Sequence, residues 1–431
     1  MNPYLKIFVV SVTLTVTCLL SSSGQQVPKR NPVQDSFGFN FKNKRQKTAK
    51  FPFDLFSNLI VVKVKIDNSD TLNFILDTGV SSIIITDPVI AEKMNLKYVR
   101  QVKISGAGEG DALTAGVSIN HTVEMGDIKA FKQNLVVLDE DILRLSEYMG
   151  IPVHGIFGHD LFERFVITMD FGSKNLFFYE PAKFKFNSKM GEKYPIVVTQ
   201  SKPYMDAIGM VQNDKDVPLR LVIDTGAGHA LLLNTNTNST EHSAVQLPDK
   251  VIRANLGRGL NGSINGHIGR VNKVTMGKYH FNDVLASFPD SISFSMKFQS
   301  TDDNRQGSVG GEFLRRFKVT MNYHLGYIAF KPLKNKFNES FEHDMSGIEV
   351  RAKGDGLKTY MITYVVPGSQ AQMAGIMEGD EIIFLNNVNT KDLTINDIFK
   401  ILSKKEGKEI EMFLRRNGQL KFAYFRLKRV I

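Results

Sequence analysis

The sequence is poor in residues that form covalent cross-links. Among 431 residues there is one cysteine, Cys18, and no tryptophan. A single thiol cannot form an intramolecular disulfide or a cysteine-based metal site. Cys18 also lies in an N-terminal apolar stretch that we expect to be cleaved off. The mature chain would then have no cysteine, which excludes disulfides and thiol catalysis.

Long apolar runs are also scarce. The most prominent one extends from Ile7 to Leu20, follows Lys6 and precedes the small residues Ser22-Ser23-Gly24. This order is typical of a secretory signal peptide, and the run is short for a membrane span. We therefore expect residues 1–24 to be a signal peptide and the mature protein to be soluble and exported, either periplasmic or extracellular.

The formal net charge of +10 is partly concentrated in a lead over residues 25–54, which we expect to be flexible. No nucleic-acid-reading motif accompanies this charge, so nucleic acid is not expected as a partner. A weak attraction to anionic envelope surfaces is the simpler interpretation. The basic residues of the lead are Lys42, Lys44, Arg45, Lys47 and Lys50.

Metal and nucleotide sites are not predicted. The histidines near the motifs described below, His154, His159, His229 and His267, lack the spacing of metal ligands. Residues 257–262 spell G-x-G-x-x-G, but no helical pattern follows them, as a dinucleotide site would require. The sequence therefore predicts no cofactor.

One tripeptide occurs twice in matching contexts. Asp77-Thr78-Gly79 follows the apolar run Phe74-Ile75-Leu76, and Asp224-Thr225-Gly226 follows Leu221-Val222-Ile223. A single Asp-Thr-Gly is ordinary turn chemistry. Two copies indicate two halves that each supply one carboxylate to a shared site.

The surroundings of the two tripeptides repeat as well. Gly155-Ile156-Phe157-Gly158 lies downstream of the first copy, and Gly307-Ser308-Val309-Gly310 lies downstream of the second. Each is followed by an acidic-aromatic segment and then by a strand pattern that ends near a proline, Pro181 or Pro332. This order and spacing predict a duplicated β lobe.

A glycine-rich segment lies between these anchors in both halves. The first contains Gly106, Gly108 and Gly110, and the second contains Gly257 and Gly259. Both precede alternating apolar residues, which is typical of hairpins. We interpret the two segments as flaps whose glycines permit the backbone mobility of a lid.

Two adjacent carboxylates have a specific chemistry. At about 3 Å they cannot both ionise easily and therefore share one proton. The ionised group can take a proton from water while the protonated group donates to a carbonyl oxygen. This chemistry needs no metal and no side-chain nucleophile.

These motifs resemble those of two-lobed aspartic peptidases related to retropepsins, over roughly residues 55–335. The resemblance implies that Asp77 and Asp224 are the catalytic pair, with Thr78 and Thr225 interlocking the two loops. Gly79 and Gly226 would allow the close approach of the loops. The apolar-apolar-Gly segments, Ile156–Gly158 and the more polar Ser308–Gly310, would pass beneath the loops.

One departure from pepsin-like sequences concerns acidity. Val80 and Ala227 follow the tripeptides where a hydroxyl residue is frequent. Without that donor the ionised carboxylate is less stabilised, so we expect the pair to be less acidic than that of pepsin.

The C-terminal segment resembles a PDZ domain of exported bacterial proteases. The resemblance rests on Ala374-Gly375 followed by Gly379-Asp380-Glu381-Ile382-Ile383. It implies a groove in which the loop around Ser346, Gly347 and Ile348 binds the C-terminus of a peptide or protein. Ser346 replaces the apolar residue that is usual there.

The sequence thus predicts a mainly β protein with two similar lobes, residues 55–190 and 191–335, around a cleft, and a small α+β PDZ domain, residues 344–431. The predicted activity is aspartic endopeptidase action on a polypeptide in the cleft. Two alternatives stay open: a peptide-binding scaffold with an idle carboxylate pair, and an envelope-associated structural protein attached through its basic lead.

Overall fold

A computed structural model of the chain describes residues 38–211, 215–235, 245–290 and 305–431. The predicted signal peptide and Cys18 lie outside these residues. Within the described ranges, no helix has both the length and the apolar character needed to cross a membrane.

The first lobe is built on a nine-stranded sheet with the main order β1-β9-β6-β10-β5-β4-β8-β7, and β3 pairs with β4. Its strands are mostly apolar on the inner face; in β4, for example, buried residues alternate with Lys63 and Lys65. Three short helices, α1 (Pro88–Lys93), α2 (Leu145–Met149) and α3 (His159–Arg164), accompany the sheet. The strands are β1 (Asn40–Phe41), β3 (Asp54–Phe56), β4 (Leu59–Ile66), β5 (Leu72–Asp77), β6 (Ile83–Ile85), β7 (Arg100–Ile104), β8 (Leu113–Met125), β9 (Ile128–Leu138) and β10 (Gly155–Gly158).

The second lobe repeats this plan in an eight-stranded sheet with the order β14-β15-β16-β21-β17-β20-β19-β18. The strand before each Asp-Thr-Gly pairs in parallel with the later glycine-containing strand, β5 with β10 and β16 with β21. Helix α4 (Gly311–Leu314) follows β21 as α3 follows β10. The strands are β14 (Val197–Thr199), β15 (Lys202–Met210), β16 (Asp216–Ile223), β17 (Leu231–Leu233), β18 (Val251–Gly259), β19 (Gly262–Met276), β20 (Tyr279–Pro289) and β21 (Gly307–Val309).

A six-stranded sheet joins the lobes in the order β13-β23-β22-β11-β12-β2. At its centre β11 of the first half pairs with β22 of the second, and the buried hydroxyls of Thr168 and Thr320 lie 2.7 Å apart. One apolar core runs through both lobes. The strands are β2 (Thr48–Pro52), β11 (Val166–Asp170), β12 (Asn175–Tyr179), β13 (Glu192–Pro195), β22 (Phe317–Asn322) and β23 (Tyr327–Pro332); the 3-10 turns Pro181–Lys183 and Ser188–Met190 lie between β12 and β13.

The basic lead differs from expectation. Its second half is part of the fold, because β1 pairs with β9 and β2 pairs with β12. Phe39, Phe41 and Phe53 are buried in the core of the lobes. The lysines between Phe41 and Phe53 suggested a solvated segment. The buried aromatic residues instead pack this segment against the core of the lobes.

The C-terminal module has its own sheet, β24-β25-β26-β28-β29 with β27 paired to β26, and its own apolar core. Strand β24 is at the edge of this sheet. Helix α6 begins with a capping box in which Thr394 and Asp397 bond each other's backbone N–H groups. The elements are β24 (Ile348–Lys353), β25 (Thr359–Val365), α5 (Gln370–Met373), β26 (Glu381–Leu385), β27 (Val388–Asn389), α6 (Ile395–Ser403), β28 (Glu409–Arg416) and β29 (Gln419–Arg426), with 3-10 turns at Asp355–Leu357 and Thr390–Asp392.

Candidate active site

The two Asp-Thr-Gly turns meet through crossed threonines. The Thr78 hydroxyl donates to the carbonyl oxygen of Ile223 at 2.6 Å and accepts from the Thr225 backbone N–H at 3.1 Å. The Thr225 hydroxyl donates to Leu76 O at 2.7 Å and accepts from Thr78 N–H at 3.1 Å. Both threonines are buried. Four hydrogen bonds therefore tie the two halves together directly beneath the carboxylates.

The carboxylates of Asp77 and Asp224 lie side by side above this junction. Gly79 N–H donates to Asp77 Oδ1 at 2.6 Å, and Gly226 N–H donates to Asp224 Oδ1 at 2.9 Å. A Cβ atom added to Gly226 would lie 2.2 Å from Asp77 Oδ2. Glycine is therefore required at this position, since any side chain would collide with the opposite carboxylate.

The glycines of the later strands have an equally steric role. A Cβ on Gly158 would lie 2.0 Å from the Asp77 carbonyl oxygen, and one on Gly310 would lie 2.4 Å from His229 O. Asp224 N–H in turn donates to Val309 O at 2.9 Å. The segments that were expected to pass beneath the loops do so and support each aspartate from below.

The electrostatics of the pair follow from its position. Burial and then the neighbouring charge of Asp224 together raise the pKa of Asp77 to about 7, against the lowering effects of Gly79 N–H and Lys202. Burial also raises the pKa of Asp224, which is opposed by Gly226 N–H, Arg305, Lys202 and Ala227 N–H. More N–H donors and cations oppose this rise at Asp224 than at Asp77, which favours ionisation of Asp224.

The two glycine-rich segments meet each other over the site. The link is Asn261, at the tip between β18 and β19, which is buried. Its side-chain oxygen accepts from Gly106 N–H at 2.5 Å, and its amide donates to Gly110 O at 3.0 Å. Its backbone adds bonds with Ala107 O at 2.9 Å and Gly110 N–H at 2.6 Å. The flaps form one interlocked cover.

The contact between the two flaps explains why both segments are rich in glycine. A Cβ on Gly108 would lie 2.4 Å from the Asn261 carbonyl carbon, and one on Gly259 would lie 2.2 Å from Ala107 O. Gly106 and Gly110 are likewise in contact with the opposite flap, at Leu260 and Asn261. Close backbone packing, rather than mobility alone, requires glycine at these four positions, whereas Gly257 has open space around it.

Comparison with known families gives the same division of the chain. A family model described as aspartyl protease matches residues 62–161 and 209–313, and a PDZ domain model matches residues 336–414. The chain carries two retropepsin-like aspartyl protease segments and a PDZ domain. The predicted fold class, mainly β with two protease-type lobes and a C-terminal PDZ domain, is thereby confirmed.

Other comparisons add little. No curated protein matched the chain. One solved structure, a photosystem II D1 C-terminal processing protease, is 22% identical over 21% of this chain and 24% of its own, with a TM-score of 0.19. The match thus spans about a quarter of that protease.

The protease cleft is chemically asymmetric. Corresponding positions of the two lobes line it, and Leu59 and Ile156 on the first lobe have Lys202 and Ser308 as their counterparts on the second. His229, which sequence reasoning had set aside, also lines the cleft, and its Nε2 lies 3.0 Å from Ser308 Oγ. Burial lowers the pKa of His229 to about 4, so the ring is neutral. The sequence signal for the contact with His229 was Ser308, a polar residue in a motif that is otherwise apolar.

The described residues around the carboxylates form no metal site. Among the residues that the structure describes, no group of three or more His, Cys, Asp or Glu side chains is arranged to hold a metal ion. His154 instead accepts from Asn73 N–H through Nδ1 at 2.9 Å.

The PDZ loop differs from the sequence expectation. Ser346, Gly347 and Ile348 were predicted to offer N–H groups to a peptide carboxylate. In the structure those groups donate to Asp344 Oδ1 at 3.0, 2.6 and 3.3 Å. The Ser346 hydroxyl donates to the same carboxylate at 2.7 Å. A residue of the chain itself thus occupies the position expected for the ligand carboxylate.

Proposed function

We propose that the protein is an aspartic endopeptidase that hydrolyses polypeptides bound in the cleft between its lobes. The observation that carries this proposal is the pair formed by Asp77 and Asp224, fixed by the crossed threonines and covered by interlocked flaps. Each half alone would present only one carboxylate. The two-lobed fold is what creates a proton-sharing pair.

We assign the roles from the larger number of N–H donors and cations around Asp224. Asp224 is ionised and accepts a proton from a water molecule as that water attacks the scissile carbonyl carbon, while protonated Asp77 donates to the carbonyl oxygen. The resulting gem-diol collapses when Asp224 returns its proton to the amide nitrogen and Asp77 takes one from a diol hydroxyl. The C–N bond breaks, and both aspartates regain their starting protonation states.

The setting of this activity is also a proposal. The apolar stretch before residue 25 supports export to a periplasmic or extracellular location. N-terminal sequencing of the protein recovered from a secreting host tests the export step. A mature N-terminus close to residue 25 is expected, and an intact Met1 in the recovered protein would contradict it.

The test of the activity is cleavage of a reduced, carboxymethylated protein by the full chain. We expect Asp77→Asn to lower kcat/KM by at least about 1000-fold, because the general acid and the shared proton are lost together. The matched control is Asp206→Asn, an exposed aspartate on β15 that should leave cleavage unchanged. Equal cleavage by the wild type and Asp77→Asn would favour the scaffold interpretation instead.

A further inference from the structure

The cavity of the carboxylate pair extends to the PDZ domain. It has a volume of about 1230 Å³, and its wall includes both Asp77 and Asp224. The same wall includes Gly347, Ile348 and Tyr364 of the PDZ domain. A polypeptide in the protease cleft therefore shares its space with the part of the PDZ domain that faces a ligand.

The N–H groups of the carboxylate-binding loop of that domain already have an acceptor within the chain. Asp344 accepts three backbone N–H bonds and one hydroxyl bond there, as described above. A free C-terminus would have to displace this internal carboxylate and leave it buried without donors, which is costly for a charged group. The loop is thus structured around a residue of its own chain.

The seam between β24 and α6, where a peptide strand would extend from the loop, is covered as well. A Cβ on Gly150 of the first lobe would lie 3.2 Å from Ile395 and 3.7 Å from Ala352, so the segment after α2 packs over this seam. The Arg351 guanidinium stacks on the Tyr148 ring at 4.8 Å. The protease lobe occupies much of the surface that an added peptide strand would use.

Two hydrogen bonds fix the orientation of the PDZ domain against the first lobe. Ser57 N–H donates to Asn396 Oδ1 at 3.1 Å, and Asn396 Nδ2 donates to Leu55 O at 3.5 Å. An ion pair between Lys353 and Glu147, at 3.4 Å, lies nearby. Since Asn396 lies in α6, the helix that borders the peptide seam, the protease lobe holds the PDZ domain through the seam itself.

We propose that the PDZ domain is a third wall of the catalytic cavity, which contacts an internal segment of the polypeptide held there and does not bind free C-termini. The substrate part of this inference rests on the proposed function. The rejection of C-termini rests on the Asp344 carboxylate and the covered seam alone.

A binding experiment tests both parts without requiring catalysis. Full-length Asp224→Asn protein is mixed with two fluorescein-labelled dodecapeptide libraries of equal randomised composition, one ending in a carboxylate and the other in a carboxamide. We expect both libraries to be captured equally, with a ratio near one. A fivefold preference for the carboxylate library would overturn the proposal, and capture of neither library would overturn the internal-segment contact.

A variant of the loop sharpens this result. Adding Asp344→Ala frees the three N–H groups, and we expect the ratio to rise at least fivefold in favour of the carboxylate library. Asp355→Ala, which removes an exposed aspartate of the same domain, is the matched control and should leave the ratio near one. If Asp344→Ala fails to fold, the ratio measured with Asp344 in place still decides the proposal.

Cleavage assays test the shared cavity. In the active protein, we expect Tyr364→Ala to raise KM about fivefold for a long unfolded substrate and to leave a hexapeptide around the same cleavage site unchanged. Tyr424→Ala on β29, outside the cavity wall, is the matched control. Equal effects of the two variants, or no effect of Tyr364→Ala on the long substrate, would contradict the proposal. A wild type without any cleavage would instead reject the peptidase proposal, leaving the library ratio to decide the role of Asp344.

Discussion

At the residue scale, the decisive property of this molecule is the unequal environment of two chemically identical side chains. Asp77 has its pKa raised to about 7 by burial and by the charge of Asp224. Burial also raises the pKa of Asp224, but two cations and two N–H groups oppose that rise. A symmetric backbone thus presents an acid and a base, because Arg305 of the second lobe acts on Asp224, whereas Lys202 acts on both carboxylates.

The pH dependence of cleavage follows from this difference. Activity requires one proton on the pair, so it should fall as pH rises through about 7, where Asp77 loses its proton. Lys202→Met removes a cation that favours ionisation, so the basic limb of the kcat/KM profile should move to higher pH. Lys215→Met, an exposed lysine at the start of the second lobe's β16 region, should not move it. A basic limb that stays in place in Lys202→Met would contradict the assigned electrostatics.

At the element scale, paired turns and paired hairpins hold the two halves of the protease together. The two Asp-Thr-Gly turns are joined by hydroxyls that each donate one bond and accept another across the lobes. The two flaps are joined largely through Asn261, whose buried side-chain amide and backbone both bond to the opposite flap. In both cases a polar side chain of one half satisfies the backbone of the other half.

The threonine junction can be tested by stability. Thr225→Val keeps the shape of the side chain but removes the hydroxyl, and with it two buried hydrogen bonds. We expect the free energy of unfolding to fall by about 2–3 kcal/mol, as measured by urea denaturation. Thr225→Ser retains the hydroxyl and should lose less than half as much. Equal stability of Thr225→Val and the wild type would show that the crossed bonds do not hold the lobes.

The flap junction can be tested by exchange and by kinetics. In Asn261→Ala the side-chain bonds to Gly106 and Gly110 are lost. Amide hydrogens of residues 105–111 should therefore exchange faster, and kcat/KM should fall by roughly 10-fold because the cover closes less often. Asn282→Ala, an exposed asparagine on β20, is the control. Unaltered exchange in residues 105–111 would refute the role given to Asn261.

At the scale of the whole molecule, the sequence was informative where a motif is repeated. The duplicated tripeptides predicted two lobes and one shared site, because a repeat constrains geometry even without coordinates. It was uninformative where contacts join distant segments. Asn261 contacts a flap about 150 residues away, and Asp344 fills a loop whose motif gives no indication of an internal ligand. The packed half of the basic lead was expected to be flexible because five basic residues between Phe41 and Phe53 suggested a solvated segment.

The central claim is that the two carboxylates act as one catalytic unit, and kcat/KM of the single and double asparagine variants on one unfolded substrate tests it most directly. Groups that act as a unit are strongly non-additive when removed. Asp77→Asn, Asp224→Asn and the double variant should therefore all lose activity to the same low level, at least about 1000-fold below the wild type. Near-wild-type cleavage by either single variant, or losses that multiply in the double variant, would contradict a shared-proton pair.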